Sequence, residues 1–208
     1  EIRMFLKESL NLELSDAKTL ITHLSSKNLR FLGYEISKSQ ENTAISVDSI
    51  GRRKRTVNGT IQLLVPGDVI ENKLKRFRKG QKPGSRPERI NNPVLDILTA
   101  YNLEMQGLYN YYRLATDVGK KLNKFKFYHY GSLLKTVASK EKTPISRVLA
   151  KYGVTVPRKC GTGVRLVLGV SYMTKKSLQT RTYFNDSLCK MDTPCPGKGA
   201  DGIVSYAY

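Results

Sequence analysis

Val94, Ile97, Leu98, Tyr101, Met105, Leu108, Tyr109 and Tyr112 recur at steps of three and four, and no other stretch of this chain restricts its fold so tightly. A strand cannot keep that spacing on one face, whereas an α-helix stacks it into a single apolar stripe. Asn92 is the predicted cap, Pro93 suits the first turn and Gly119 is the predicted stop. Further helices are predicted over much of 121–140 and from Thr143-Pro144 to Tyr152, with Ile145, Val148, Leu149 and Tyr152 inward and Gly153 as terminator. Three helices with short links predict a small bundle.

Outside the bundle the periods are shorter. Ile2, Phe5, Leu6 and Leu10 predict an amphipathic helix. Residues 18–24 and the alternation of Leu32, Tyr34 and Ile36 predict a β-hairpin turning at Ser25-Ser26-Lys27-Asn28. A β-ribbon is predicted over 44–65, with a turn at Asn58-Gly59 and with Ile45 and Val47 on one side, Ile61, Leu63 and Val65 on the other. Asp68, after Pro66-Gly67, is the predicted cap of a helix through Ile70, Leu74 and Phe77. Residues 80–92 read as an extended basic loop, and Val164, Leu166, Leu168 and Val170 as a strand in an otherwise irregular C-terminal segment. The fold class is therefore α+β: hairpin, ribbon, helical bundle, then short strands.

Charge narrows the function. Lys and Arg number 36 against 17 Asp and Glu, a net charge of +19. Residues 51–90 alone carry twelve cations against three carboxylates. A solvated face normally mixes signs, so a one-signed run points to phosphates, whose neutralisation releases condensed counterions. The candidate contacts in this run are Arg52, Arg53, Lys54, Arg55, Lys73, Lys75, Arg76, Arg78, Lys79, Lys82 and Arg86. Tyr101, Tyr109 and Tyr112 share the apolar stripe and are assigned to the core; Asn110, Tyr111 and Arg113 lie off it and face a ligand. Lys135, Lys140 and Lys142, with Lys120, Lys121, Lys124 and Lys126, form a second basic surface. Spread cations suit helical RNA, which is read largely through phosphates, 2′-hydroxyls and shape.

Other classes drop out. No apolar run approaches the ~20 residues that cross a bilayer. No signal-peptide pattern opens the chain; without an initiator Met, and with the apolar run 203–208 at its end, it reads as part of a longer protein. Cys160, Cys189 and Cys195 are odd in number and widely spaced, which fits reduced thiols in an intracellular protein better than a disulfide framework or zinc site. His23 has no Ser or Cys partner in the sequence, no paired carboxylates show metal-binding spacing, and no phosphate-binding GxxxxGK[ST] loop is present. The residues alone give a basic nucleic-acid-binding module, with no catalytic and no metal site.

Several segments in order resemble the C-terminal half of a group II intron-encoded reverse transcriptase, or intron maturase. The run from Phe5 through Lys18 to His23 resembles the last palm segments of that family. Arg30-Phe31-Leu32-Gly33-Tyr34-Glu35-Ile36 resembles its final reverse-transcriptase block, which implies a primer grip at Phe31, Leu32, Gly33 and Tyr34. Residues 58–66 resemble the start of the thumb, and Tyr101–Tyr112 with Leu134–Lys140 the maturase region, domain X. The resemblance spans about residues 1–155. From 157 onward, residues 181–184 and 203–208 resemble the start of the DNA-binding region.

It implies an end of palm over 1–40, a thumb and domain X over 41–156, and the start of a DNA-binding region over 157–208. The implied partners are group II intron RNA, a template–primer duplex, a DNA target and the rest of the reverse transcriptase, with no membrane. The implied location is the bacterial cytoplasm, or alternatively a mitochondrion or plastid. The Tyr-Ala-Asp-Asp block and earlier aspartate that hold Mg²⁺ in such palms are not among these 208 residues. The chain alone is thus expected to need no cofactor and to make no DNA, Mg²⁺ belonging to the parent polymerase. Two alternatives stand beside this reading: the ordered part of a longer active polymerase, and a general basic RNA-binding protein.

Overall fold

The first amphipathic repeat forms α1 (Ile2–Leu10), none of whose residues is buried. The computed structural model describes residues 2–13, 15, 21–39, 45–47, 50–55, 59–159 and 163–191. Two units emerge, Glu1–Gln62 and Leu63–Tyr208. In the first, β1 (Leu29–Phe31) pairs antiparallel with β2 (Tyr34–Lys38), Leu29 opposite Ile36 and Phe31 opposite Tyr34. Leu32 and Gly33 make the turn at φ 46° and 76°. Positive φ at both turn residues is the type I′ geometry that matches strand twist. The hairpin is thus displaced from its predicted position: 21–24 form no strand, and 18–20 lie outside the described residues.

The ribbon is corrected too. β3 (Ile45–Val47) pairs with β4 (Arg53–Arg55), so its partner is the cationic run itself. β5 (Ile61–Leu64) joins the hairpin in the order β1-β2-β5, and the division between the units falls inside it. Gly59 takes φ 83°, the left-handed value expected of the turn; Asn58 lies outside the described residues.

The second unit opens with α2 (Gly67–Leu74), capped by Pro66 in place of Asp68. Asp68 sits in the first turn, where a carboxylate favours the helix dipole. The predicted loop at 80–92 carries structure of its own: β6 (Arg78–Lys79) and β7 (Lys82–Pro83) form a minimal hairpin, and Pro87–Arg89 a 3₁₀ turn. Backbone bonds explain it. The Gly84 N–H reaches Phe77 O at 2.8 Å, and the Arg86 N–H reaches Thr136 Oγ1 at 2.9 Å.

The bundle follows as α3 (Val94–Tyr112), α4 (Val118–Glu141) and α5 (Ile145–Tyr152). Pro93, not Asn92, caps α3, and Gly119 lies in the first turn of α4 instead of ending α3. The earlier stop comes from long-range ties: the Thr116 N–H bonds Leu63 O at 2.8 Å, and Asp117 Oδ1 accepts the Val65 N–H at 2.8 Å. Tyr101 faces Ser132 and Thr136 while Glu104 faces His129, so α3 and α4 run antiparallel. Gly131 lets the basic hairpin lie on α4, because a Cβ there would come 2.6 Å from Pro83 Cγ. The core draws Leu74 and Phe77 from the α2 region, Leu98, Tyr101 and Met105 from α3, and Leu122, Phe125 and Leu133 from α4.

Beyond α5 the chain builds an antiparallel sheet, β10-β9-β8, from β8 (Gly153–Pro157), β9 (Val164–Met173) and β10 (Leu178–Thr182). Asn102 of α3 clamps its exit: its amide N–H bonds Thr182 O at 2.8 Å and its Oδ1 accepts the Phe184 N–H at 2.9 Å. Tyr130 Oη accepts the Leu168 N–H at 3.0 Å. The class is α+β, as the sequence predicts. Among the described residues no helix is long and apolar enough to cross a membrane.

Candidate nucleic-acid interface

The cations between residues 73 and 89 divide by what holds them. Arg78 pairs with Glu71 at 3.1 Å, and Arg86 with Glu88 while its guanidinium lies 5.1 Å from the centre of the Phe77 ring. Lys75 Nζ donates to Asn72 at 2.9 Å. Lys73, Arg76, Lys79 and Lys82 are exposed and make no carboxylate pair among the described residues. Lys79 and Lys82 stand opposite each other in the β6–β7 hairpin, and Lys73 and Arg76 border one cleft with Phe77 and Phe125. At the start of α4, Lys124 reaches across to Glu71 at 2.5 Å, which ties that helix to the same edge.

A polar chain that runs from the half-buried Arg89 and Glu104 to the buried His129 and Tyr183 lies beside this edge. Arg89 donates to both oxygens of Glu104, at 3.1 and 2.5 Å, and its guanidinium lies 4.8 Å from the centre of the Tyr101 ring. Such a two-pronged pair is both directional and strong. His129, fully buried, has Nε2 3.3 Å from Glu104 and Nδ1 2.9 Å from Tyr183 Oη. One tautomer satisfies both contacts, with Nε2–H donating to the carboxylate and the tyrosine O–H donating to Nδ1. Burial opposes ionisation of Glu104, yet hydrogen bonds from His129 and Arg89 and the Arg89 charge hold it at about 2. Burial pushes His129 down and keeps it neutral, against the pull of Glu104. Burial also pushes the Tyr183 hydroxyl up.

Acid sensitivity follows. The unfolded chain protonates His129 near 6.5, the folded chain only at lower pH, so stability falls as pH drops below about 6.5. Glu104 adds a further loss between its unfolded value of 4.5 and about 2. The unfolding free energy measured from pH 7.5 to 5 is expected to fall, with a slope of at most about 1.4 kcal/mol per pH unit for one proton. A His129→Gln variant is expected to lose that slope; an identical slope in the variant would assign it elsewhere.

The remaining candidates separate in space. Asn110, Tyr111 and Arg113 are exposed at the end of α3. Lys135, Lys140 and Lys142 stand toward the far end of α4, about 25 to 36 Å along the helix direction from its start. The antiparallel hairpin therefore does not join them into one surface; Asn110 to Arg113 instead lie at the α3–α4 turn that leads to Lys120, Lys121 and Lys124. Lys140 Nζ donates to Ile90 O at 3.0 Å and acts within the fold. Lys142 takes φ 51° at the close of α4, where its N–H bonds Ala138 O. In the first unit, Arg52 and Arg53 are exposed, while Lys54 and Arg55 continue β4 with side chains outside the described residues. Phe31, Leu32 and Gly33 project at the hairpin turn and Tyr34 is half-buried beside them.

Arg89, Glu104, His129 and Tyr183 were not among the sequence candidates. The register held a signal: Glu104, three residues after Tyr101, is an acid beside the apolar stripe, and His129, four after Phe125, is its counterpart on α4. Among the described residues no cluster of three or more His, Cys, Asp or Glu could hold a metal ion.

Comparison with known proteins bears on this arrangement. A family model described as type II intron maturase matches residues 58–194. The group II intron-encoded protein LtrA of Lactococcus lactis subsp. cremoris is 33% identical over 219 residues, covering 100% of this chain and 34% of that protein. The putative COX1/OXI3 intron 1 protein of Saccharomyces cerevisiae is 31% identical over 157 residues, covering 70% of this chain and 19% of that protein. The chain thus spans about a third of the length of the first of these relatives.

Proposed function

This chain belongs to the type II intron maturase family, and on that premise we propose that it is the RNA-holding thumb and maturase part of a group II intron reverse transcriptase. In this reading it binds structured intron RNA, promotes its splicing and mobility, and in the parent protein grips the template–primer duplex. The chemistry of splicing belongs to the RNA; the chain supplies charge neutralisation and shape. One observation carries the proposal: four exposed cations, Lys73, Arg76, Lys79 and Lys82, project without carboxylate partners among the described residues from the unit that the family model matches. The polar chain from Arg89 to Tyr183 is assigned the positioning of that edge. Phe31 to Tyr34 are assigned the primer grip, and Arg52 to Arg55 a contact on the first unit. Mg²⁺ is assigned to the palm of the parent enzyme.

A titration tests it. The chain is expected to bind a group II intron RNA in preference to a length-matched RNA duplex, with affinity for both falling steeply as salt rises. Equal affinity for the two, barely altered by salt, would remove the maturase role.

A further inference from the structure

Two clefts open on either side of Lys126 and Arg165, where α4 meets β9. The first, about 440 Å³, is walled by apolar groups, among them Phe127, Leu134, Val167 and Pro83. Its size falls within the range of small-ligand pockets, roughly 300–1,000 Å³. The second, about 420 Å³, is polar and basic, with Arg158, Lys159 and Asn185 in its wall. Asn123, Lys126 and Arg165 line both, so the two form one bipartite site.

Each half lacks something that a ligand would supply. Phe127 is 66% exposed although it borders the apolar cleft, its one ring neighbour among the described residues being Tyr128, edge-on at 5.3 Å. In the basic half, Lys126, Arg158, Lys159 and Arg165 share the wall with one carboxylate, Asp186, which Lys159 already bonds. Arg165 Nε and Asn185 Oδ1 are buried and make no hydrogen bond among the described residues. Burial, helped by the neighbouring Arg165 charge, pushes the Lys126 ammonium down to about 8. Two half-buried cations side by side are costly unless an anion joins them.

We infer that the two clefts hold one unpaired RNA nucleotide, its base against Phe127 and Leu134 and its phosphate between Lys126, Arg158 and Arg165. A base in a duplex is stacked and paired and cannot enter; a base in a loop, bulge or single strand can, and stacking on an aromatic ring is a standard mode for it. The inference rests on the RNA-binding reading above and gives it a site apart from the cationic edge at 73–82, one that selects unpaired segments.

The test compares a short single-stranded RNA oligomer with a blunt RNA duplex of the same length. Phe127 is exposed, so Phe127→Ala leaves the core intact. It is expected to weaken binding of the single-stranded oligomer by about tenfold and leave the duplex unchanged. Lys126→Gln is expected to weaken binding of the same oligomer and lower its salt slope by about one. If wild type binds both probes and Phe127→Ala alters neither, or both equally, the nucleotide site is wrong and the RNA-binding reading stands. If wild type binds neither probe, both fall.

Discussion

Tyr101→Ala is expected to destabilise the helical unit by about 4 kcal/mol, read as a fall in the denaturant midpoint at unchanged slope. Tyr101 has no exposed surface. Its ring lies 5.9 Å from Phe77 and 4.7 Å from His129, so truncation opens a cavity where α3, α4 and the basic segment meet. Its hydroxyl bonds Ser132 at 2.9 Å and Thr136 at 3.2 Å, and Thr136 in turn accepts the Arg86 N–H. Tyr101→Phe removes only that hydroxyl and is expected to cost about 1–2 kcal/mol. A cost below about 1 kcal/mol for the alanine variant would show that this centre does not hold the unit together.

Much of that centre was legible. The steps of three and four between 94 and 112 assign Tyr101, Tyr109 and Tyr112 to the core; Tyr101 and Tyr112 are buried there, while Tyr109 is half-buried and donates its hydroxyl to Cys189 O. The same register leaves Asn110, Tyr111 and Arg113 outside, and all three are exposed. The bundle also follows from Pro144 and Gly153, which bracket α5 as expected. Ends set by distant partners were not legible. Nothing local in Thr116 or Asp117 announces their bonds to Leu63 and Val65, so local signals put the stop of α3 too late.

The strands erred for other reasons. Leu32 at φ 46° defies the usual preference for Gly or Asn, so the true hairpin turn carried only half of the usual signal, Gly33. In Arg53–Arg55 the charge masked a strand pattern. In β9 the alternation was real, but Val164 and Leu166 are exposed whereas Val167, Leu168 and Gly169 are buried. Burial there follows where the strand meets the helices, not the alternation alone.

Among the candidate cations, sequence could supply only a roster. Arg78, Arg86 and Lys140 read as free charges and are engaged within the fold, by Glu71, Glu88 and Ile90 O. Ion pairs across 15 to 53 residues, such as Arg89–Glu104 and Lys124–Glu71, follow no local spacing rule. What survives the sorting is a short edge, and it carries the second large prediction. Exchanging Lys73, Arg76, Lys79 and Lys82 together for Gln is expected to lower affinity for a group II intron RNA roughly 100- to 1,000-fold near 0.1 M salt. None of the four is buried, so the fold should persist and the Tyr101-centred unit should unfold as in wild type. The size follows from the charge removed: each missing cation forgoes the release of about one condensed counterion.

The most direct measurement is the slope of log affinity against log salt for intron RNA, compared between wild type and that fourfold variant. With four phosphates no longer neutralised, the variant's line is expected to be shallower by roughly three to four units. Parallel lines of equal height would contradict the account, because the exposed cations at 73–82 would then not be where the RNA is held.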